Sequence, residues 1–261
     1  GRPAFVWISN QIGNNGVLTG FTQADRTTSF PFNPDAKAHI PENPSLPSSY
    51  EINVTDKDFK FPQVWRNNIA VDKSLFAGIV ATVEFIYSKN INAAHYVEIN
   101  ETTATERFAG PDNRLKFPGY GLKNDAFNNA DRINPSITGA PMLTNTNKGY
   151  SYTFTAQLEK PFSNGLFARL AYNFGEAKDL MSAGNIAGGS YSSIRSVNGN
   201  NAPELAFSNN DQRHRVIGSV SYRKEYAGFG ATQISLFSEA GNQGRFSYTI
   251  NGDMNGDGIF H

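Results

Sequence analysis

The strongest constraint on the fold is an alternation of apolar and polar residues with a period of two. In residues 150–159 the even positions are Tyr, Tyr, Phe, Ala and Leu, whereas the odd positions are Ser, Thr, Thr, Gln and Glu. The same period recurs in residues 79–88, 166–175, 215–223 and 232–236. Because successive side chains of a β-strand point to opposite faces, each segment predicts a strand with one apolar face. No segment sustains the period of an amphipathic helix, so the chain is predicted to be all-β.

The connections between the predicted strands alternate between short and long. The predicted strands lie at about residues 3–9, 62–71, 76–100, 138–160, 165–176, 212–224 and 229–250. Three long connections, residues 10–61, 101–137 and 177–211, are rich in Asn, Gly, Pro and Ser. In an antiparallel sheet this order places every short turn at one end and every long loop at the other. Compact soluble domains rarely contain three such loops, whereas outer-membrane barrels have short periplasmic turns and long extracellular loops.

A lipid bilayer explains this pattern. Inside hydrocarbon every backbone polar group must be paired within the protein, so a spanning sheet has to close into a barrel. Aromatic residues collect at both ends of the predicted strands, where the interfacial girdles of a barrel would lie. Near the short turns they are Phe76, Phe162, Tyr222, Tyr226 and Phe229, and toward the long loops they are Phe85, Tyr87, Tyr150, Tyr172 and Phe174. The sequence therefore predicts an antiparallel transmembrane β-barrel segment with long extracellular loops, whose polar face lines the lumen.

A soluble β-sandwich is the alternative, because its strands also alternate when one face packs on a core and the other is solvated. Such a protein would be secreted or displayed on the cell surface, and it would bind glycans without transporting them. The two predictions differ in what covers the apolar face, which is lipid in a barrel and a second protein layer in a sandwich. The surroundings of Phe154, Leu170 and Val220 decide between them.

Composition and motifs exclude several classes of function. Lys and Arg number 23, as do Asp and Glu, so the net charge is zero and no overall basic field attracts a nucleic acid. The absence of cysteine excludes disulfides, cysteine-ligated metals and thiol nucleophiles. No apolar run is long enough for a transmembrane helix, so any membrane crossing must use strands. An enzyme is not predicted, because the four histidines are scattered and no H-E-x-x-H or G-x-S-x-G motif occurs.

One short motif near the C-terminal end predicts a metal site. Asp253, Asn255 and Asp257, followed by Gly258, match the opening of a calcium-binding loop. In such a loop alternate oxygen-bearing side chains converge on a hard cation, and the glycine permits a sharp turn. The closing bidentate carboxylate would lie beyond His261. Calcium is thus a candidate ligand, and the alternative is a hydrophilic turn at the end of a strand.

Three further groups of residues are candidates for contacts. The basic run Arg213-His214-Arg215 enters a strand from the outer side, where it could contact lipid phosphates, line the lumen or be solvated. Four charges in the lumen-facing phase are expected to contact a plug rather than a substrate: Glu84, Glu159, Arg169 and Arg223. The loop 10–61 could stack on a sugar, grip a peptide or form a rigid lid. Its prolines and aromatic residues are Phe30, Pro31, Phe32, Pro34, Pro41, Pro44, Pro47 and Tyr50.

Four stretches of the chain are informative through their order in the sequence and their placement on the predicted strands and loops: residues 58–66, 148–153, 208–215 and 253–258. Together they resemble the barrel of TonB-dependent outer-membrane receptors, in particular the SusC-like and Oar-like branch. The resemblance implies a bacterial outer-membrane barrel of about 22 strands with a plugged lumen. Such receptors bind a scarce nutrient, here an oligosaccharide, a peptide or a metal chelate, and import it when TonB pulls on the plug. The implied partners are the TonB complex, outer-membrane lipid, a surface lipoprotein and the nutrient.

Residues 1–261 account for about seven strands of such a barrel. Nothing in the sequence resembles the TonB-contacting segment, the plug or the terminal strand that closes the barrel. The resemblance therefore implies that residues 1–261 are an internal fragment of the β-barrel domain and that the plug domain is absent. TonB would act through this missing plug region.

Overall fold

The computed structural model describes residues 6–8, 34–35, 50–121, 130–182, 184 and 187–259. Their strands are β1 (Val6–Ile8), β2 (Tyr50–Thr55), β3 (Gln63–Ser74), β4 (Val80–Glu98), β5 (Glu106–Arg107), β6 (Leu115–Lys116), β7 (Ile137–Gly139), β8 (Pro141–Thr146), β9 (Tyr150–Ser163), β10 (Leu166–Asp179), β11 (Ala206–Phe207), β12 (His214–Tyr226) and β13 (Gly230–Gly241). A short helix, α1 (Ala187–Ser192), and a 3-10 turn (Phe76–Gly78) accompany them. No helix in these ranges is long and apolar enough to cross a lipid bilayer.

Six long strands form the main sheet, in the order β3-β4-β9-β10-β12-β13. Every neighbouring pair in this order is antiparallel. The strands range from 12 residues in β3 to 19 in β4, so each meets the length of about 9–11 residues that a tilted crossing needs. Within the described ranges β3 pairs only with β4 and β13 only with β12, so the sheet is open. The prediction of an all-β chain with long antiparallel strands is confirmed.

The register separates apolar from polar residues across all six strands. One row of paired residues on the apolar face consists of Val71, Val83, Ala156, Tyr172, Val216 and Ala240. The next row, on the opposite face, consists of Asp72, Thr82, Gln157, Ala171, Ile217 and Glu239. A slip of one residue in any strand would move its apolar side chains to the polar face. The period of two in the sequence therefore specifies this register.

No second protein layer covers the apolar face in the described part of the chain. Phe154, Leu170 and Val220 remain 39%, 55% and 47% exposed. The buried apolar residues lie instead among the connections beyond the long strands: Phe117, Ala140, Ala187, Tyr191 and Ile194. A β-sandwich would bury its inward-facing side chains between two sheets, so the architecture does not match that alternative.

The three short connections lie at one end of the sheet, as predicted. Between β9 and β10 the turn residues Asn164 and Gly165 have φ values of 51° and 78°. Two positive φ angles in a two-residue hairpin match a type I′ turn, whose twist fits the right-handed twist of the strands. The other two short connections also contain residues with positive φ: Ala77, Gly78, Ala227 and Gly228.

The strand predicted at residues 138–160 is divided in the structure. Its parts β8 and β9 lie end to end along one edge of β4, because Leu143 pairs with Tyr96 and Tyr150 pairs with Lys89. Between them Gly149 has a φ of 108°, a conformation that favours glycine. The backbone turn at Gly149 therefore breaks a segment that has continuous alternation in the sequence.

Other boundaries differ from the predictions at the long-loop end. The strand predicted at 229–250 ends at Gly241, and the loop predicted at 10–61 contains β2. This β2 pairs antiparallel with β1 but parallel with β7 and β8, so a short parallel pairing accompanies the antiparallel long strands at this end. The loop 101–137 contains the β5–β6 hairpin. The loop 177–211 contains α1 and β11. Contacts between loops stabilise these short elements, and such contacts produce no periodic pattern in the sequence.

Candidate functional site

The long loops converge on a cavity of about 270 Å³. Its lining comes from β2, the end of β4, the connection before β8, the helix α1 and residues 257–259. Carboxylates dominate the charged lining, which consists of Glu51, Glu98, Glu101, Asp131, Arg132 and Asp257. We call this space the acidic cavity. Residues distant in the sequence thus form one charged surface among the loops.

Asn201 attaches the loop 177–211 to the end of β4. Its Oδ1 accepts a hydrogen bond from the Glu98 backbone N–H at 2.7 Å, and its Nδ2 donates to the Glu98 carbonyl at 2.8 Å. The same Nδ2 donates to Glu101 Oε2 at 2.7 Å. On the other side, the Tyr191 hydroxyl donates to Glu101 Oε1 at 3.3 Å. The Glu101 carboxyl group is therefore held between two residues of this loop.

Asn100 and Glu98 attach the loop 101–137 in a similar way. The Asn100 side chain donates to the carbonyls of Asn134 and Ile137 at 3.0 and 2.8 Å. Its Oδ1 accepts from the Asn134 N–H at 2.8 Å. Glu98 Oε1 accepts from the backbone N–H groups of Asn100 and Ala140. These bonds satisfy buried polar groups and fix one wall of the acidic cavity.

Burial controls the protonation of the cavity. It raises the pKa of Glu101 to about 8, and the nearby charge of Asp257 adds to the rise. Burial also raises the pKa of Asp131 and of the Tyr191 hydroxyl. Desolvation disfavours the ionised form of each group. At neutral pH Glu101 is therefore mostly protonated, and the cavity carries less negative charge than its carboxyl groups would suggest.

The predicted calcium motif forms a hydrogen-bonded turn beside the cavity. Asp253 Oδ1 accepts from the backbone N–H groups of Asn255 and Gly256, and its Oδ2 accepts from Gly258. The Asn255 amide donates to Asp257 Oδ2 at 2.9 Å. Such bonds from Asp and Asn side chains to nearby backbone are typical of hydrophilic turns.

The motif's role as a calcium site stays a prediction. Asp257 lines the acidic cavity, whereas the Asp253 oxygens accept backbone hydrogen bonds. Across the described ranges no three His, Asp or Glu side chains are arranged to hold a metal ion. A calcium ion at Asp253, Asn255 and Asp257 would require those oxygens to turn toward it.

The basic run Arg213-His214-Arg215 is divided among three environments. Arg213 pairs with Glu176 at 2.8 Å. His214 stacks on aromatic neighbours of the apolar face. Arg215 pairs with Glu239 at 2.8 Å across the polar face. The run is therefore not one continuous basic patch, and only Arg215 belongs to the lumen-facing side.

The lumen-phase charges have polar partners on the polar face, two across strands and one along its own strand. Glu159 accepts a hydrogen bond from Arg169 Nε at 2.7 Å, and Glu84 accepts from Asn68 at 2.9 Å. Arg223 lies 3.0 Å from a glutamate of its own strand. These side chains satisfy one another at a partly exposed surface, and their contact with a plug stays a prediction.

Sequence reasoning missed most of the acidic cavity. Glu51, Glu98, Glu101 and Asp131 lie on separate segments with no motif spacing, and only Asp257 belongs to a predicted motif. The candidate ligand contacts of loop 10–61 fall outside the described residues, apart from Pro34, which is exposed, and Tyr50, which begins β2.

A comparison with protein families decides the environment of the apolar face. The family model described as an outer membrane beta barrel domain matches residues 3–234. The chain belongs to this family. Comparisons with curated proteins and with solved structures give no significant match. The predicted transmembrane barrel fold and outer-membrane localisation are thus confirmed. In this family member the uncovered apolar face contacts lipid, the polar face lines the lumen, and the acidic cavity is extracellular.

Aromatic residues mark both edges of the lipid-facing band. At the short-turn end Phe76, Tyr222 and Phe229 are 80%, 50% and 89% exposed. At the other end the band reaches the row of Phe85, Phe154 and Phe174. From Leu166 to Phe174 a strand advances about 26 Å, which corresponds to roughly 20 Å of height at a tilt of about 40°. This height approaches the apolar band of about 25 Å that outer-membrane barrels have.

Proposed function

We propose that this outer-membrane protein is part of a TonB-dependent receptor of the SusC-like or Oar-like branch. The receptor imports a nutrient, which is an oligosaccharide, a peptide or a metal chelate. The barrel architecture and the resemblance of residues 58–66, 148–153, 208–215 and 253–258 support this proposal. It requires binding and conformational change only, so no catalytic residue is proposed.

The observation that carries the proposal is the assembly of the extracellular loops into a walled cavity. A channel for passive diffusion needs an open mouth, whereas a receptor needs a surface that is organised before the ligand arrives. Asn100 and Asn201 each make three hydrogen bonds that dock separate loops on the end of β4. This pre-organisation favours capture of a dilute ligand.

The polar face of the sheet supports a plugged lumen. Its charges are paired across strands, as in Arg169–Glu159 and Arg215–Glu239, and they remain partly exposed to the interior. A plug domain with complementary polar groups fits such a surface. In this proposal TonB acts on the plug, outer-membrane lipid surrounds the barrel, and a surface lipoprotein delivers the nutrient.

Uptake by cells that carry the full-length gene tests the proposal. A deletion strain should lose growth on one oligosaccharide, peptide or metal chelate supplied at low concentration, and the intact gene should restore it. Disrupting TonB should abolish the restored uptake. Uptake that persists without TonB would contradict the proposal and indicate a passive channel.

A loop variant links uptake to the acidic cavity. Asn201→Ala removes three hydrogen bonds that dock the loop 177–211, and we expect it to raise the nutrient concentration for half-maximal uptake about tenfold. Asn198→Ala is the control in the same loop, because its amide donates to Glu204 and accepts a longer bond, 3.4 Å, from Arg107, but makes no bond to β4. Equal effects of the two variants would show that the cavity wall has no specific role.

A further inference from the structure

Two lysines lie directly beyond the outer aromatic edge of the lipid-facing band. Lys89 and Lys178 pair with Tyr150 from its two sides, so the three residues form one row. The next row toward the membrane contains Tyr87, Tyr152 and Glu176, and the row below that contains phenylalanines. Because residues two apart on a strand share a face, the lysines belong to the lipid-facing side.

Two arginines join Lys178 around one exposed aromatic ring. The Phe207 ring centroid lies 4.0 Å from the Arg245 guanidinium, 5.0 Å from Lys178 Nζ and 5.4 Å from the Arg213 guanidinium. Phe207 is held there by the pairing of β11 with Lys178 on β10. Cation–π contacts of this kind position cations beside a ring. We call Lys89, Lys178, Arg213 and Arg245 the outer basic rim.

The outer basic rim has an excess of positive charge. Glu176 pairs with Arg213 at 2.8 Å and lies 3.8 Å from Lys178. Asp211 pairs with Arg245 at 2.6 Å. Four cations thus face two carboxylates. Each guanidinium contacts its carboxylate through one nitrogen, and a guanidinium has five N–H donors. Lys89 is exposed, so the rim retains donors for another anion.

The position of the outer basic rim relative to the hydrocarbon layer indicates which class of anion it binds. Headgroups lie just beyond the hydrocarbon, at the level of the aromatic girdle and the residues that follow it. A soluble anion needs no apolar surface, whereas here Phe174 and Tyr152 form an aromatic platform immediately below the cations. A lipid satisfies both features, since its acyl chains pack on the platform while its phosphate meets the rim.

We propose that the outer basic rim binds the phosphate group of an outer-leaflet lipid whose acyl chains lie against the aromatic row below. The site is on the outside of the barrel and is separate from the acidic cavity among the loops. The proposal therefore goes beyond nutrient import and does not depend on it.

A lipid titration of the purified full-length protein tests the proposal. The probe is diphosphorylated lipid A in mixed micelles with dodecyl maltoside, and the comparison lipid is the same molecule without phosphates. Wild type should bind the phosphorylated lipid more tightly. The double variant Lys89→Gln and Lys178→Gln should lose about tenfold in affinity for it. Inorganic phosphate at the same concentration should not displace the lipid.

Matched controls make the result specific. Lys73→Gln with Lys224→Gln removes the same charge from exposed, lipid-facing positions near the short turns, and this variant should bind like wild type. Lys89→Gln alone, at an exposed residue, should show a smaller loss and guards against misfolding of the double variant. Equal losses in the two double variants, no loss in either, or displacement by inorganic phosphate would overturn the proposal.

Discussion

At the scale of single residues, the acidic cavity combines buried carboxyl groups with few opposing cations. Glu101 receives hydrogen bonds from Asn201 and Tyr191, both of which stabilise its ionised form. Burial nevertheless outweighs these bonds, because its pKa rises to about 8. The loops therefore dock most firmly when Glu101 carries its proton.

This balance predicts a pH dependence for the docked loops. In the unfolded or undocked chain Glu101 ionises near its ordinary pKa of 4.5, whereas in the docked state it keeps its proton up to about pH 8. The docked state binds more protons between these values, so its stability falls as pH rises from about 5 to 8 and then levels off. Hydrogen exchange of the Thr102 and Ile133 amides, which are bonded across the loop, should show about two orders of magnitude less protection at pH 8 than at pH 5, after correction for intrinsic rates.

Two variants distinguish the effect of Glu101 ionisation from the effects of other carboxyl groups. Glu101→Gln should flatten most of the pH profile, because the amide cannot ionise. Glu106→Gln is the control in the same loop, since Glu106 is exposed and its pKa is lowered by Lys116. A wild-type profile that is already flat, or one that Glu106→Gln flattens equally, would show that Glu101 does not control docking.

At the scale of elements, the short turns stabilise neighbouring strands beyond their own hairpins. The carbonyl of Gly165 in the β9–β10 turn accepts a hydrogen bond from the Arg223 N–H on β12 at 2.7 Å. A Cβ at Gly165 would collide with the Arg223 carbonyl oxygen. The turn is thus a three-strand contact, which explains why only glycine fits at this position.

Comparison of two glycines with similar φ tests this contact. Gly165 and Gly228 have φ values of 78° and 68°, but only open space surrounds the Cβ position of Gly228. Gly228→Ala should cost about 1 kcal/mol from backbone strain alone. Gly165→Ala should cost about 2 kcal/mol more, because the collision separates the turn from β12. Urea unfolding of the protein in detergent micelles measures both, and equal costs would contradict the three-strand contact.

The elements also show how far sequence reasoning reaches. Alternation predicts the six long strands and their faces because one apolar face must meet one environment along the whole strand. It does not predict the break at Gly149 or the parallel pairing of β2 with β8, since both depend on which segments meet in space. The acidic cavity could not be predicted for the same reason, because its carboxylates lie on segments that are distant in the sequence and meet only in the folded structure.

At the scale of the whole molecule, the position of the protein in the membrane follows from one exposed face. Leu170 lies midway along the lipid-facing band between Leu166 and Phe174, with Leu158 and Gly218 as its cross-strand neighbours. Its side chain is 55% exposed. In water such a face would be an aggregation surface, whereas in a bilayer it supplies the driving force for insertion.

Substitutions at two adjacent residues, one on each face of the sheet, test this position in the membrane most directly. Leu170→Arg puts a charge near the bilayer midplane and should destabilise the inserted barrel by about 2–4 kcal/mol. Ala171→Arg adds the same side chain one residue away on the lumen-facing side, where polar Gln157 is its neighbour, and should cost less than about 1 kcal/mol. Urea unfolding of the full-length protein in phosphatidylcholine vesicles measures the difference. If both substitutions cost the same, or if Ala171→Arg costs more, the assignment of lipid-facing and lumen-facing sides would be wrong.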